Sequence, residues 1–156
     1  MAHRLRIPLI LGLCLLAGAA LAADWPQFRG PNRDGVSRET GLLKSWPAGG
    51  PKVLWKSPAG EGFSHVVVAG GRVFTLYGQG SQEVAVAMDA ASGKPVWKTP
   101  IDGKYTSDMG NGPRSTPTVE GGVVYALSAG GKLVALNAGN GKKVWERDLE
   151  DEFDAR

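Results

Sequence analysis

Cysteine is almost missing from this sequence. Cys14 is the single one among 156 residues, and it lies in the N-terminal stretch that has the form of a secretory leader. Arg4 and Arg6 head that stretch, an apolar run follows from Ile7 to Leu21, and Ala20-Leu21-Ala22 offers small residues for cleavage after Ala22. A positive head, a short apolar middle and a small-residue cut are the marks of a Sec-type signal peptide. Ile7–Ala23 is too short for a membrane span, which needs about 20 apolar residues, and Pro8, Gly12 and Gly18 interrupt it. A lipid anchor on Cys14 is disfavoured, because Leu13 stands where a small residue is wanted and more apolar residues follow. The expected product is periplasmic or secreted, without a membrane span. It has no cysteine, which excludes a disulfide framework, a cysteine metal site and a thiol nucleophile.

Charge of one sign is lacking too. The whole chain carries 18 Lys and Arg against 15 Asp and Glu, but loss of Arg4 and Arg6 with the leader leaves 16 against 15. No basic stripe interleaved with aromatics occurs, so nucleic acid is not an expected partner. Histidine is reduced to His65, which opens an apolar run; a lone strand histidine is structural or exposed far more often than it is a metal ligand. Asn32–Gly35 has part of the look of a calcium loop, but Gly30 stands where the first acidic ligand belongs and no Glu follows at the needed distance. Ser115 has no nucleophile elbow and no base partner. A sustained 3.6-residue apolar period is also absent. No catalytic residue and no metal ligand can be named.

What the sequence has in abundance is glycine, 23 of them, punctuating short apolar runs. Residues 23–51 read as a loop-rich segment broken by prolines and glycines, able to plug or brace whatever follows. Residues 52–156 then fall into strand-length units. Lys52–Lys56 is a strand candidate within a segment 52–58. A first set of four spans 64–99: His65–Ala69, Arg72–Tyr77, Glu83–Met88 and Pro95–Thr99. A second set spans 115–148: Ser115–Val119, Val123–Ser128, Lys132–Asn137 and Lys143–Asp148. Gly70-Gly71 matches Gly121-Gly122 at an offset of 51, while Val86–Asp89 matches Val134–Asn137 at an offset of 48. The three extra residues of the first set are expected in its middle turn, around Gly78–Gln82, since insertions in repeats gather in loops. Gly-Gly, Ser92-Gly93 and Asn140-Gly141 suit tight antiparallel turns. Each set therefore reads as a four-stranded antiparallel meander. The middle strands are apolar on both faces and need cover on both sides, and a repeat of 40–50 residues that packs on its own copies is a propeller blade.

One phrase occurs in both sets: "DAASGKPVW" (Asp89–Trp97) and "NAGNGKKVW" (Asn137–Trp145). Asp89 or Asn137 can bond the backbone of the turn, Gly93 or Gly141 closes it, and Trp97 or Trp145 sits in the outer strand. A large indole on an edge strand is explained if it reaches the neighbouring unit. With "AMDAASGKPVW" and "ALNAGNGKKVW", the chain resembles the quinoprotein-type (PQQ-like) β-propeller repeats, whose motif is A-x-D-x-x-T-G-K-x-x-W. "DWPQFRGPNRDG" and "GPRSTPTV" are similar to the opening segment and a blade start of secreted bacterial members. The sequence departs from the motif at Asn137, where Asp is usual, and at Ser92 and Asn140, where Thr is usual. The resemblance implies an all-β fold of about two propeller blades plus one extra strand. It implies that Trp97 and Trp145 dock one blade on the next, and that Trp55 belongs to a ring-closing strand 52–58. Closed rings use about 4–8 blades, so further C-terminal blades or self-association are expected to complete this one.

The family contains non-catalytic extracytoplasmic scaffolds and dehydrogenases that oxidise alcohols or sugars with pyrroloquinoline quinone and calcium. The cysteine pair, calcium ligands and catalytic aspartate of the second group cannot be placed on this sequence. The expectation is a binding module with no evident cofactor and a protein or envelope component as partner; the alternative is the N-terminal part of a quinoprotein dehydrogenase. Fold alone does not decide between them. Blade-to-blade loops line one mouth of a propeller, so Tyr105, Asp108, Asn111 and Arg114 in the loop Asp102–Ser115 are the candidates for ligand or partner contact. The acidic residues Glu150, Asp151, Glu152 and Asp154 read as a solvated loop.

Overall fold

The computed structural model describes residues 23–154; the expected leader, with Cys14 and the cleavage point after Ala22, lies outside the described residues. The first sheet has strands β1 (Val67–Ala69), β2 (Arg72–Gln79), β3 (Gln82–Asp89) and β4 (Pro95–Gly103). The second has β5 (Thr118–Glu120), β6 (Val123–Leu127), β7 (Lys132–Asn137) and β8 (Lys143–Asp148), followed by a short helix α1 (Leu149–Phe153). Both sheets are antiparallel meanders in sequence order. The architecture is all-β, two partial-propeller blades. No described helix is long and apolar enough to cross a membrane.

The glycine pairs set the first hairpin of each blade. Gly70 and Gly71 lie at φ 55° and 72°, which a two-residue turn with right-handed strand twist requires. They pair Ala69 with Arg72, and Gly121-Gly122 pairs Glu120 with Val123 in the same way. The middle hairpin departs from expectation. The extra residues of the first blade lengthen its strands rather than its turn: β2 and β3 stay paired out to Gln79 and Gln82 around Gly80-Ser81. In the second blade β6 stops at Leu127, and residues 128–131 form the turn. Extra residues in register gain ladder bonds, which a longer loop would not.

The repeated phrase also folds differently in detail. Each last turn has four residues, 90–93 and 138–141, rather than two. Gly93 N–H donates to Asp89 O and Gly141 N–H to Asn137 O, both at 2.8 Å. Only the final glycine takes a positive φ (69° and 71°), so this is a helical turn ended by one left-handed residue. The side chain before it holds it closed: Asp89 Oδ1 accepts from the N–H and hydroxyl of Ser92 at 2.8 and 2.6 Å. Asn137 Oδ1 accepts from the N–H of Gly139 and Asn140 at 2.9 and 3.1 Å. Asn thus replaces Asp without loss of the acceptor that the turn uses. The Ser92 hydroxyl and N–H hold the Asp89 carboxyl below the usual carboxylate range.

One core joins the two sheets. Val67, Phe74, Leu76, Ala85, Ala87, Trp97 and Ile101 of the first pack with Val124, Ala126, Val134 and Leu136 of the second. The Trp97 indole, 9 % exposed, leaves its own sheet to reach the last turn of the second blade. Its Nε1–H donates to Ala138 O at 2.9 Å, an oxygen that also accepts from Arg72 Nη1 at 2.7 Å, and Thr99 Oγ1 donates to Gly141 O at 2.7 Å. A Cβ on Gly141 would stand 2.6 Å from the indole, so only glycine lets the ring lie flat on that turn. Trp55 makes the same contact one blade earlier, donating to Ala90 O at 2.9 Å and lying against Gly93. Residues 52–58, however, pair in no ladder among the described residues; a strand needs a hydrogen-bonded neighbour, and here only the indole is anchored. Trp145, the third of the series, is 40 % exposed and 6.0 Å from the Tyr125 ring.

The loop-rich segment 23–51 braces the blades. Trp25 and Val68 exchange N–H···O bonds at 2.7 and 3.0 Å, and Val119 N–H donates to Pro26 O at 2.8 Å. The segment thus bridges β1 and β5, the first strands of both sheets. Asp24 accepts from Gly70 N–H, and the Trp25 ring lies over Gly30. At the other end, the expected solvated acidic loop is instead the helix α1, with Asp148 as its N-cap and its acids exposed in the first turn, where the dipole favours them.

Candidate functional site

The loop after β4 returns the chain from the edge of the first blade to the inner strand of the second. It rests on a layer of satisfied polar groups. Glu83, at the start of β3, is 0 % exposed. One carboxyl oxygen accepts from Ala129 N–H at 3.0 Å and the other from Tyr105 N–H at 3.4 Å, tying the second blade's middle turn and the blade-to-blade loop to the first blade. Beside it, Asp102 accepts from the Ser128 hydroxyl at 2.6 Å and from Lys132 Nζ at 3.3 Å, a second link across the blades. Burial pushes the Asp102 carboxyl up, but the Ser128 hydroxyl, the Gly103 N–H and Lys132 outweigh it and hold the group below the ordinary carboxylate range.

A group depressed on folding contributes stability above its unfolded pKa and loses it as pH falls through the lower folded value. The Asp102→Asn protein is therefore expected to be less stable than the parent at neutral pH. The gap should close on acidification below the ordinary carboxylate range, as followed by thermal unfolding between pH 7 and pH 3. A gap independent of pH would show that Asp102 acts only through its shape.

Above that layer sits a cluster of aromatic and cationic side chains. The Arg114 guanidinium lies 4.6 Å from the Phe63 ring centre and 5.2 Å from that of Tyr105, and Nη2 donates to Gly110 O at 2.6 Å. Phe28, from the bracing segment, stands 5.0 Å from the His65 ring at a tilt of 59°. Phe28, Phe63, His65, Arg114 and Thr116 line an open cavity of about 330 Å³. Phe28, Phe63 and Tyr105 remain 52, 54 and 42 % exposed, and Met109 at the loop tip 88 %.

The four candidates of the loop meet different fates. Tyr105 and Arg114 come together in the stack. Asn111 turns into the loop, accepting from Ser107 N–H at 3.2 Å and donating to Glu61 at 3.3 Å. Asp108 lies exposed beside Met109 in the chain. From sequence, His65 is weighed only as a lone strand histidine, and Phe28, Phe63, Thr116 and the buried Glu83 are not among the candidates. The repeat held a signal for three of them. The offset of 51 that superposes the glycine pairs also carries Phe63 onto Arg114 and His65 onto Thr116. These equivalent positions of the two blades also meet: His65 N–H donates to Thr116 Oγ1 at 3.2 Å. Ser64 and Ser115, equivalent by the same offset, both bond the second strand, at Leu76 N–H and at Leu127 O.

Among the described residues no three His, Cys, Asp or Glu side chains gather as a cation site. The acids beneath the loop are already occupied: Glu83 by backbone N–H groups, Asp102 by Ser128, Gly103 and Lys132. The site can hold a partner by stacking, apolar contact and a positive charge.

Residues 41–156 match the family model described as outer membrane protein assembly factor BamB. No curated protein sequence matches the chain. Among solved structures, quinohemoprotein alcohol dehydrogenase from Comamonas testosteroni is 24 % identical over 85 % of this chain and 21 % of its own, with a TM-score of 0.55. Another, quinohemoprotein alcohol dehydrogenase from Pseudomonas putida, is 23 % identical over 60 % of this chain and 14 % of its own, with a TM-score of 0.45. BamB from Moraxella catarrhalis is 18 % identical over 57 % and 36 %, with a TM-score of 0.32. The chain thus spans between 14 and 36 % of the length of these proteins.

Proposed function

The chain belongs to the PQQ-like repeat family whose model is described as outer membrane protein assembly factor BamB, and from that premise we propose that it is an extracytoplasmic propeller module that binds protein. The observation that carries this reading is the rim cluster. Phe63, Tyr105, Met109 and Arg114 are exposed together on one loop mouth, and aromatic residues, Met and Arg are the types enriched at protein interfaces. They are mounted on a rigid base, since Glu83 and Asp102 fix the loop to both blades, and a binding loop positioned by a rigid scaffold loses less entropy on association.

Secretion is part of the proposal. Cleavage after Ala22 would make Ala23 the first residue, and its nitrogen lies 2.9 Å from Glu39 Oε1, a place that suits a free α-ammonium. The quinone-dependent reading asks for calcium ligands, and among residues 23–154 no three acidic or histidine side chains gather as a cation site, while Glu83 and Asp102 are already engaged by backbone N–H, hydroxyl and ammonium donors.

A photoreactive amino acid placed at Met109 in the full-length protein, and activated in intact cells, tests the proposal. The expected result is a discrete covalent adduct with an envelope protein, absent when the same group is placed at the exposed strand end Gln82. No adduct at position 109, or the same adduct pattern from both positions, would contradict a rim binding site.

A further inference from the structure

The rim cluster also has a chemical preference. Arg114 spends one of its five N–H donors on Gly110 O and has no carboxylate partner among the described residues. Glu61, two residues before Phe63 in the chain, is held by Lys104 at 2.8 Å and by Asn111. Those two groups keep its carboxyl below the usual range, so it stays a satisfied anion rather than a competitor for Arg114. Two further cations stand close by: Arg29 and Arg33 line a cavity that shares Phe28 with the cleft, and their side chains bond the neutral acceptors Asp34 O and Gln27 Oε1. Asp34, beside Arg33 in the chain, and Asp108, at the loop tip, are exposed acids of these two segments. A guanidinium clamped over two rings is held in place before anything binds, and its planar fork suits a carboxylate.

We infer that the cleft between Phe28, Phe63, His65, Arg114 and Thr116 receives an acidic side chain from an extended segment of a partner protein, with Arg114 taking the carboxylate and Phe28, Phe63 and Met109 taking the apolar residues beside it. The inference rests on the protein-binding reading above and narrows it to a partner of stated chemistry. An acidic polysaccharide could use the same charge, but the guanidinium already takes one face each of Phe63 and Tyr105. The exposed Met109 beside them has no flat face for a sugar ring and is a residue type enriched at protein interfaces.

The test is a titration of the full-length protein with three labelled probes, followed by fluorescence anisotropy: a peptide alternating Asp and Leu, its counterpart with Lys for Asp, and oligogalacturonate. The Asp–Leu peptide is expected to bind, the Lys–Leu peptide and the polysaccharide not. Arg114→Glu should weaken the Asp–Leu complex by about ten- to a hundredfold, the worth of a hydrogen bond to a charged group, and Arg114→Lys by less. Thermal unfolding of both variants near the parent temperature would show that the exposed substitution left the fold intact. Binding of oligogalacturonate alone, binding of both peptides alike, or an Asp–Leu affinity unchanged in Arg114→Glu would each overturn the inference. If the peptide fails while the cross-link at position 109 persists, the acidic preference is wrong and the binding module stands; if both fail, the module reading falls with it.

Discussion

Trp97→Ala is expected to lower the free energy of unfolding by about 3–5 kcal/mol, the range for deleting a buried large aromatic. The indole is the main body between the two sheets, and its removal strips three contacts at once. It leaves the shared core beside Phe74, whose ring centre is 6.0 Å away; it uncovers Gly141; and it removes one of two donors to Ala138 O. Arg72 still satisfies that carbonyl, so the loss is one of packing and cavity more than of an orphaned acceptor. Trp97→Phe should recover part of the packing and none of the hydrogen bond. Denaturant unfolding of the full-length protein measures the difference. A loss below about 1 kcal/mol for the alanine protein, the scale of an exposed surface change, would mean that the blades are held together elsewhere.

The second large effect is expected at Glu83. Its carboxyl oxygens are the partners of two N–H groups that come from different places, Ala129 in the second blade and Tyr105 in the rim loop. Glu83→Ala leaves both donors without an acceptor at a position sealed from water, at a cost of about 3 kcal/mol. Glu83→Gln keeps the shape and one acceptor, and should cost about 1 kcal/mol. Hydrogen exchange adds a readout that distinguishes a local tether from general destabilisation: the Tyr105 and Ala129 amides should lose protection in the glutamine protein while β2 and β3 amides keep theirs. Uniform loss across both sheets would contradict the tether.

The blades were legible from sequence because their signals are local and occur twice. Gly70-Gly71 and Gly121-Gly122 permit a tight left-handed turn between apolar runs, and the two G-K-x-x-W phrases place a tryptophan at a fixed distance from the last turn. Lys132–Asn137 and Lys143–Asp148 form strands with the bounds expected of them. Local signals misled where pairing decides the outcome. The extra residues near Gly78 gained partners and became strand. The four-residue turns at 90–93 and 138–141 depend on side-chain acceptors at Asp89 and Asn137, which a dipeptide signal such as Ser-Gly does not reveal. The rim was only half legible. Arg114 and Tyr105 drew notice by their polar loop, whereas Phe28 and Phe63 join them through the fold, from segments 86 and 51 residues before Arg114. Glu83 was hidden for the opposite reason: an acid at a strand end reads as solvent-facing until a second blade covers it.

The measurement that bears most directly on the central claim, a binding module rather than a quinone-dependent enzyme, is a reconstitution of the full-length protein with pyrroloquinoline quinone and calcium. The mixture is passed through gel filtration and then assayed for alcohol- or sugar-dependent reduction of an artificial electron acceptor. The account predicts that the quinone elutes apart from the protein and that acceptor reduction stays at the level of the blank. Quinone retained in proportion to protein, with reduction that depends on added substrate, would contradict it and make the chain part of a dehydrogenase.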